Sequence, residues 1–357
     1  MDGSSQQKFI VGSCELAHRR DGMDIQNLVD SDGAIKFDML DAILEKSLIE
    51  NLKVNMLETP ILFTENAIHN KDQRMKLTEY MFEKYKIPAL FLVKDPVLSA
   101  FSCGRSSALI LDIGHRSSIA TPVNDGYALL KCIIKHDIAG AQLTQDLHSF
   151  LQKKGVEIKP RYTFKKKFIN TDGQELMQLV DLSSQVKNTH PNYHNWSQLE
   201  IVREMKEDFL SVSEPEPLQM KLSDNARIAS YELPDGTNLQ LSSYERQHIA
   251  EKLFLNQSSL QFAGDVPLPD SNISGFSGVH QMIVESISKS DIDIRRDLFQ
   301  NIILSGGTCN FTGFQKRMEK QLPEISPQNV RVKVLGSFDR RFQPWVGGSI
   351  LSSLGSF

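Results

Sequence analysis

The chain has 357 residues, of which 40% are hydrophobic and 24% charged, a composition that excludes a fibrous or largely disordered protein and is long enough for two cores. Its 40 Lys and Arg against 44 Asp and Glu give a net charge of -4, so no global field gathers nucleic acid or anionic lipid. Four widely spaced cysteines (Cys14, Cys103, Cys132, Cys309) form no C-x-x-C pair, and no apolar run reaches the ~20 residues of a membrane helix. These features predict a reducing compartment, no structural zinc, and neither secretion nor a membrane.

Residues 1–35 carry one short apolar run, Phe9-Ile10-Val11, and no clear period. From Phe37 to Asn51, Phe37, Leu40, Ile43, Leu44 and Leu48 recur at helical spacing, and Asp38 and Asp41 favour the helix start. Pro60–Thr64 reads as a buried strand, and Asn70-Lys71-Asp72-Gln73 as a capping-box start for a helix that Pro88 ends. A strand over 89–93, a helix over 97–101 and a glycine stop at Gly104 follow.

Ala108–Ile113 is predicted to be a buried strand, returning through Ser118–Val123 and, after the Asn124-Asp125-Gly126 turn, through Tyr127–Ile134 as a third antiparallel strand. A helix from Ala139-Gly140 closes at Gly155. Residues 156–195 lose periodicity and read as a polar surface insertion. A helix resumes over Trp196–Phe209, and Pro234-Asp235-Gly236 joins two strands around Tyr231 and Leu239. The remainder reads as helix (279–288), strand (301–304), helix (314–321), strand (330–335) and a last helix from Trp345. This alternation implies an α/β fold.

Two strand ends carry the chemistry: Leu111-Asp112-Ile113-Gly114 and Leu304-Ser305-Gly306-Gly307-Thr308. Glycine there lets a phosphate oxygen approach backbone N–H groups, and Asp112 could face the water shell of a phosphate-bound Mg²⁺. Taken singly, each reads more readily as an ordinary strand-end turn than as a phosphate site. A basic cluster (Lys159, Arg161, Lys165, Lys166, Lys167) interleaved with Tyr162, Phe164 and Phe168 reads either as a solvated face or as a weak, salt-sensitive DNA contact.

In order and spacing, Asp112-x-Gly114, Asp125–Leu129, Ile138-Ala139-Gly140, Tyr231–Gly236, Asp291–Arg295, Leu304–Thr308 and Trp345–Leu351 resemble actin, over nearly the whole chain from Asp24 onward. The resemblance implies an α/β, two-lobed actin-like fold with duplicated ribonuclease-H-like sheets, as in Hsp70 and sugar kinases, its amino-terminal strands and last helix missing. It implies a first lobe of residues 1–102 with 338–357, a second-lobe core of 103–138 with 275–337, and a fourth subdomain of 139–274 holding an insertion near 160–195. It further implies ATP with Mg²⁺: Asp112 and Asp137 at the metal's water shell, Gly114 at the phosphates, Gly140 among the cofactor-binding positions, and Gly306, Gly307, Thr308 and Phe311 flanking the nucleotide. Arg203, Lys206, Glu207 and Arg341 match adenosine-side positions.

Three departures weigh against catalysis. Phe9–Ser13 lacks the acid and second glycine of the family's first phosphate hairpin, Asp95 replaces the glutamine that orients the attacking water, and Arg116 replaces a glycine of the second phosphate loop. The resemblance therefore implies a non-enzyme with residual ATP binding. Residues 161–196 and Ile87–Leu92 resemble the nuclear branch of the family found in SWI/SNF (BAF)-type chromatin remodellers. That branch implies nuclear and also cytoplasmic residence, a heterodimer with actin on the helicase-SANT-associated helix of a remodelling ATPase, contacts with other remodeller subunits, and chromatin reached indirectly. Phe101, Gly104, Gly126, Tyr127, Leu351 and Leu354 match the family's helix-binding groove, where core packing is the other reading for Phe101 and Leu351. The alternatives are an actin-type ATP-hydrolysing switch and a cytoskeletal filament subunit.

Overall fold

The computed structural model describes residues 8–30, 34–68, 70–171, 174–213, 228–254, 275–337 and 339–355. In chain order its elements are α1 (Phe37–Leu44), a π-helix (Glu45–Asn51), β1 (Ile61–Glu65), α2 (Lys71–Glu83), β2 (Leu90–Lys94), α3 (Asp95–Ser102), β3 (Ala108–Ile113), β4 (Ser118–Asn124), β5 (Tyr127–Ala128) and β6 (Ile134–His136). They continue with α4 (Gly140–Lys153), β7 (Phe164–Thr171), β8 (Gln174–Asp181), α5 (Pro191–Phe209), β9 (Ala229–Glu232), β10 (Asn238–Leu241), α6 (Ser243–Glu251), α7 (Val279–Lys289) and α8 (Ile292–Gln300). The last are β11 (Ile302–Ser305), α9 (Phe314–Ile325), β12 (Val334–Gly336) and α10 (Gln343–Ser352). Two compact units result: residues 1–63, 69–91 and 159–198, and residues 64–68, 92–158 and 199–357.

The second unit is built on a six-stranded sheet ordered β12-β11-β3-β4-β5, with β6 also paired to β4. β12, β11 and β3 run parallel, and β4 is antiparallel to its neighbours. Helices cover the parallel strands, so every apolar side chain of β3 and β11 is buried. The Asn124-Asp125-Gly126 turn behaves as its residues dictate: Asp125 and Gly126 take φ of 48° and 81°, the geometry of a two-residue hairpin. The third antiparallel strand differs from expectation. It breaks after Ala128 into a 3₁₀ turn at Leu130–Cys132, and the chain re-pairs with β4 as β6.

α10 packs closely on α3: a Cβ on Gly347 would sit 1.8 Å from Leu98 O. Only glycine lets the backbones meet there. Besides a single helical turn at Ser13–Leu16, two helices escaped the sequence reading. α6 is held by a full capping box between Ser242 and Glu245, and α8 by Leu298 and Phe299 buried on the sheet.

In the first unit α1 forms where expected, but the last seven residues of the predicted helix, Glu45–Asn51, wind as a π-helix in which Ile49 is exposed. Asn70 caps α2 by accepting from Asp72 N at 2.9 Å. The expected capping box does not close there, because Gln73 Oε1 accepts from Ile35 N instead. The segment expected to be an irregular insertion is an eight-residue antiparallel hairpin, β7–β8. Its uneven polarity hides the alternation: Lys165 and Lys167 fall on one face, Phe164 and Lys166 on the other.

Candidate functional site

All the residues at the two glycine-bearing strand ends belong to the second unit. β3 and β11 are parallel neighbours in a register that sets Asp112 beside Ser305, so both strand ends open on the same side. Gly306 leaves β11 at φ 86°, and a Cβ there would lie 2.3 Å from Ile113 O and 2.5 Å from Asp112 Oδ1. The glycine is required by the protein's own backbone, not by a ligand. Gly140, the first residue of α4, is similar: its Cβ would meet Thr308 Oγ1 at 2.9 Å, Gly114 O at 3.1 Å and Lys206 Nζ at 3.2 Å.

Gly114 and Gly307 are different. A Cβ at Gly114 would meet nothing nearer than 4.0 Å, and at Gly307 nothing nearer than 3.9 Å. Space for an incoming group therefore lies over these two. Gly114 O is a hub, accepting from Thr308 Oγ1 at 3.0 Å and from Gly140 N at 3.0 Å, which ties the loop after β3 to both β11 and α4.

The electrostatics are unusual for so small a volume. Burial raises the Asp112 carboxyl to about 6. Asp95, first residue of α3, is pushed up to about 7 by burial and by the neighbouring Asp112 charge, with Glu65 adding to it. Two like charges out of water disfavour joint ionisation. A divalent cation would relieve both, and Mg²⁺ suits one or two carboxylates with retained waters. On the other side Lys206, almost fully buried, donates to Gly140 O at 2.9 Å, and burial lowers it to about 8. His115 is also pushed down, by burial and by the nearby Lys206 charge. The donor set of Asp112, the open Gly114 and Gly307, Thr308 and Lys206 fits a phosphate with its cation.

The remaining residues lie at the margin. Arg203 is held by Glu200 at 2.7 Å and by Glu207 at 2.8 Å, which raises it further and makes it a positioned but neutralised group. Phe311 is buried in the core. Arg341, half exposed, lies over the Phe342 ring at 4.8 Å and pairs with Asp339. Asp137 does not join the acids: its side chain is 82% exposed and its partner is Lys135 at 3.5 Å.

Sequence reading missed the support beneath the site. Ser99 of α3 and Ser305 of β11 meet through their hydroxyls at 3.3 Å in the core, fixing the helix that carries Asp95 against the strand that carries Gly306. Glu65, at the end of β1, is buried with Lys94 at 3.5 Å. An acid closing an apolar strand, Ile61–Glu65, was the available signal.

The groove residues surround the α3–α10 contact. Gly104 takes φ 65° after α3, Gly126 N donates to Ser106 O at 2.8 Å, and Tyr127 stands 77% exposed on β5, which touches α3. Phe101 and Leu351 are half-buried and Leu354 exposed. Tyr127 and Leu354 thus offer apolar surface, while Phe101 and Leu351 divide theirs between core and solvent.

Comparison with known proteins agrees with this architecture. The family model described as Actin matches residues 1–357. The chain is 38% identical to Actin-related protein 4 of Arabidopsis thaliana over 354 residues, covering 98% of this chain and 78% of that protein. It is 37% identical to Actin-related protein 4 of Oryza sativa subsp. indica, covering 99% and 78%, and 30% identical to Actin-related protein 4 of Schizosaccharomyces pombe, covering 99% and 84%. The α/β fold is actin-like, and the chain belongs to the actin family.

Proposed function

We propose that this chain is a non-catalytic, nuclear actin-related subunit of a chromatin-remodelling complex, which pairs with actin on a helix of the remodelling ATPase and contributes to transcriptional regulation. The observation that carries the absence of catalysis is Asp95. Where a water-orienting amide is expected, the chain holds a carboxyl pushed up to about 7 beside Asp112. An acid there competes for the cation instead of aligning a neutral nucleophile, and Arg116 fills a position that phosphate-binding backbone would need open. ATP with Mg²⁺ is then a held ligand that is not turned over, resting on Asp112, Gly114, Gly307, Thr308 and Lys206.

Partner binding is assigned to the surface around α3, β5 and α10. An exposed tyrosine, an exposed leucine and two glycines without side chains suit the apolar face of an amphipathic helix. Pull-down from nuclear extract with mass spectrometry tests this. Wild type is expected to retain remodeller subunits and actin, and the Tyr127→Asp/Leu351→Asp double variant to lose them. Their absence from the wild-type sample would refute the assignment.

The second reading, an actin-type hydrolytic switch, is favoured by the open space over Gly114 and Gly307. Steady phosphate release from purified protein, abolished by Asp112→Ala, would replace the first reading with this one.

A further inference from the structure

The basic run Lys165-Lys166-Lys167 takes on a different meaning once its register is known. β7 and β8 pair over eight residues each, with Lys165 opposite Val180, Lys166 opposite Leu179 and Lys167 opposite Gln178. Side chains alternate across a strand, so Lys165, Lys167, Gln178 and Val180 share one face. Phe164, Lys166, Leu179 and Asp181 share the other. Lys165 and Lys167 are exposed, whereas Lys166 is half-buried.

The hairpin therefore sorts its charges. At the described cross-strand positions of the Lys165/Lys167 face there is no carboxylate, while Asp181 lies on the Lys166 face. It sorts its rings as well: Phe164 is on the Lys166 face, and Tyr162 is committed to His194 at 2.7 Å and to the Tyr193 ring. On the exposed Lys165/Lys167 face no ring stands beside the lysines, and Phe164 accompanies only the half-buried Lys166. A stacking platform for unpaired bases needs both on one surface. What remains is charge, from two lysines whose backbone positions are about 6.6 Å apart along the strand, twice the ~3.3 Å rise.

We propose that the Lys165/Lys167 face of the β7–β8 hairpin is a sequence-independent contact for the phosphate backbone of duplex DNA. Two observations favour the duplex over an acidic peptide. First, among the described residues β7 and β8 form a sheet of their own with no third strand, and a two-stranded ribbon is an element that a duplex groove admits. Second, at the described positions beside Gln178 and Val180 the face offers two compact point charges and no ring, whereas a duplex presents a charge every ~1.7 Å of its axis and meets both lysines in any register. This inference is independent of the helix-binding groove, which lies in the other unit.

The test is fluorescence anisotropy of the full chain with a short labelled duplex across a salt series, comparing wild type, Lys165→Gln/Lys167→Gln and Lys166→Gln. Each lost phosphate contact removes about 0.9 from the slope of log affinity against log salt, so the double variant is expected to flatten the slope by about 2. Lys166→Gln is expected to leave it unchanged. Thermal melts establish that all three proteins are folded, Lys165 and Lys167 being exposed and Lys166 half-buried. The proposal is overturned if wild type does not bind duplex at low salt, or if Lys166→Gln costs as much slope as the double variant. It also fails if single-stranded DNA or an acidic peptide of equal charge displaces the duplex as well as unlabelled duplex does.

Discussion

At residue 306 the backbone conformation and the packing point the same way. An alanine would have to hold φ near 86° and place its methyl group 2.3 Å from Ile113 O, so Gly306→Ala combines strain with overlap against backbone that cannot swing aside. The expected loss is about 3 kcal/mol in urea-induced unfolding, and Gly307→Ala, whose Cβ finds nothing within 3.9 Å, is expected to cost under about 1 kcal/mol. Equal losses at the two positions would contradict the geometry. The paired acids make a second prediction. The Asp95 and Asp112 carboxyls have folded values of about 7 and about 6, above their ordinary 3.8, so between about 4 and 7 the native state holds more protons than the unfolded chain. Stability contributed by these groups is complete below the unfolded value and lost as pH rises through the folded one. Asp95→Asn is expected to flatten the fall in melting temperature between pH 4 and pH 7, and to leave the protein more stable than wild type at pH 8 without Mg²⁺. A wild-type curve that rises across that window would show the acids to be ionised already.

At the scale of elements, buried charge is concentrated where helices meet. Lys252, just after α6, donates to Asp146 of α4 at 2.6 Å, with 3% and 1% of the two side chains exposed. Removing one partner leaves the other as an uncompensated buried charge, so Lys252→Ala is expected to cost about 3–5 kcal/mol. The paired Asp146→Leu/Lys252→Met replacement is expected to recover most of that in the same denaturation assay. If the double variant is no more stable than the single, the pair holds the helices by more than charge neutralisation. Legibility in the sequence followed the same physics. Elements whose apolar period is unbroken, such as β3, α4 and α7, were readable because burial on one face writes the pattern directly. α6 was announced by Ser242 and Glu245 three residues apart, a signal present but weaker than apolar spacing. The π-helix after α1 could not be read, since its hydrogen-bond register alters no residue type, and the β7–β8 ribbon was masked by lysines at successive positions. Of the site, the glycines and Asp112 were legible. Asp137 was placed there by resemblance, whereas its carboxylate stands exposed beside Lys135.

At the scale of the molecule, large apolar side chains stand exposed along α10 and at its two ends. Trp345, Val346 and Ile350 of α10 are exposed, Trp345 by 74%, as are Phe342 just before the helix and Leu354 just after it, while Gln343, Gly347 and Gly348 are buried. Isolated soluble monomers rarely show so many large apolar side chains together, because each exposed one forgoes the ~1.5–3 kcal/mol that burial would return. A protein bearing such a face is expected to associate when separated from its partners. Sedimentation velocity on the purified chain should therefore reveal concentration-dependent species larger than the monomer, and Trp345→Glu/Ile350→Glu should return the boundary to a single monomeric one. Both residues are exposed, so the variant should melt within a few degrees of wild type. A wild-type chain that stays monomeric at high concentration would mean that this face is covered by the protein itself. The association is expected to weaken on cooling and to persist in high salt, the reverse of the behaviour assigned to the Lys165/Lys167 face, because apolar contact gains from salt while phosphate contact loses by it.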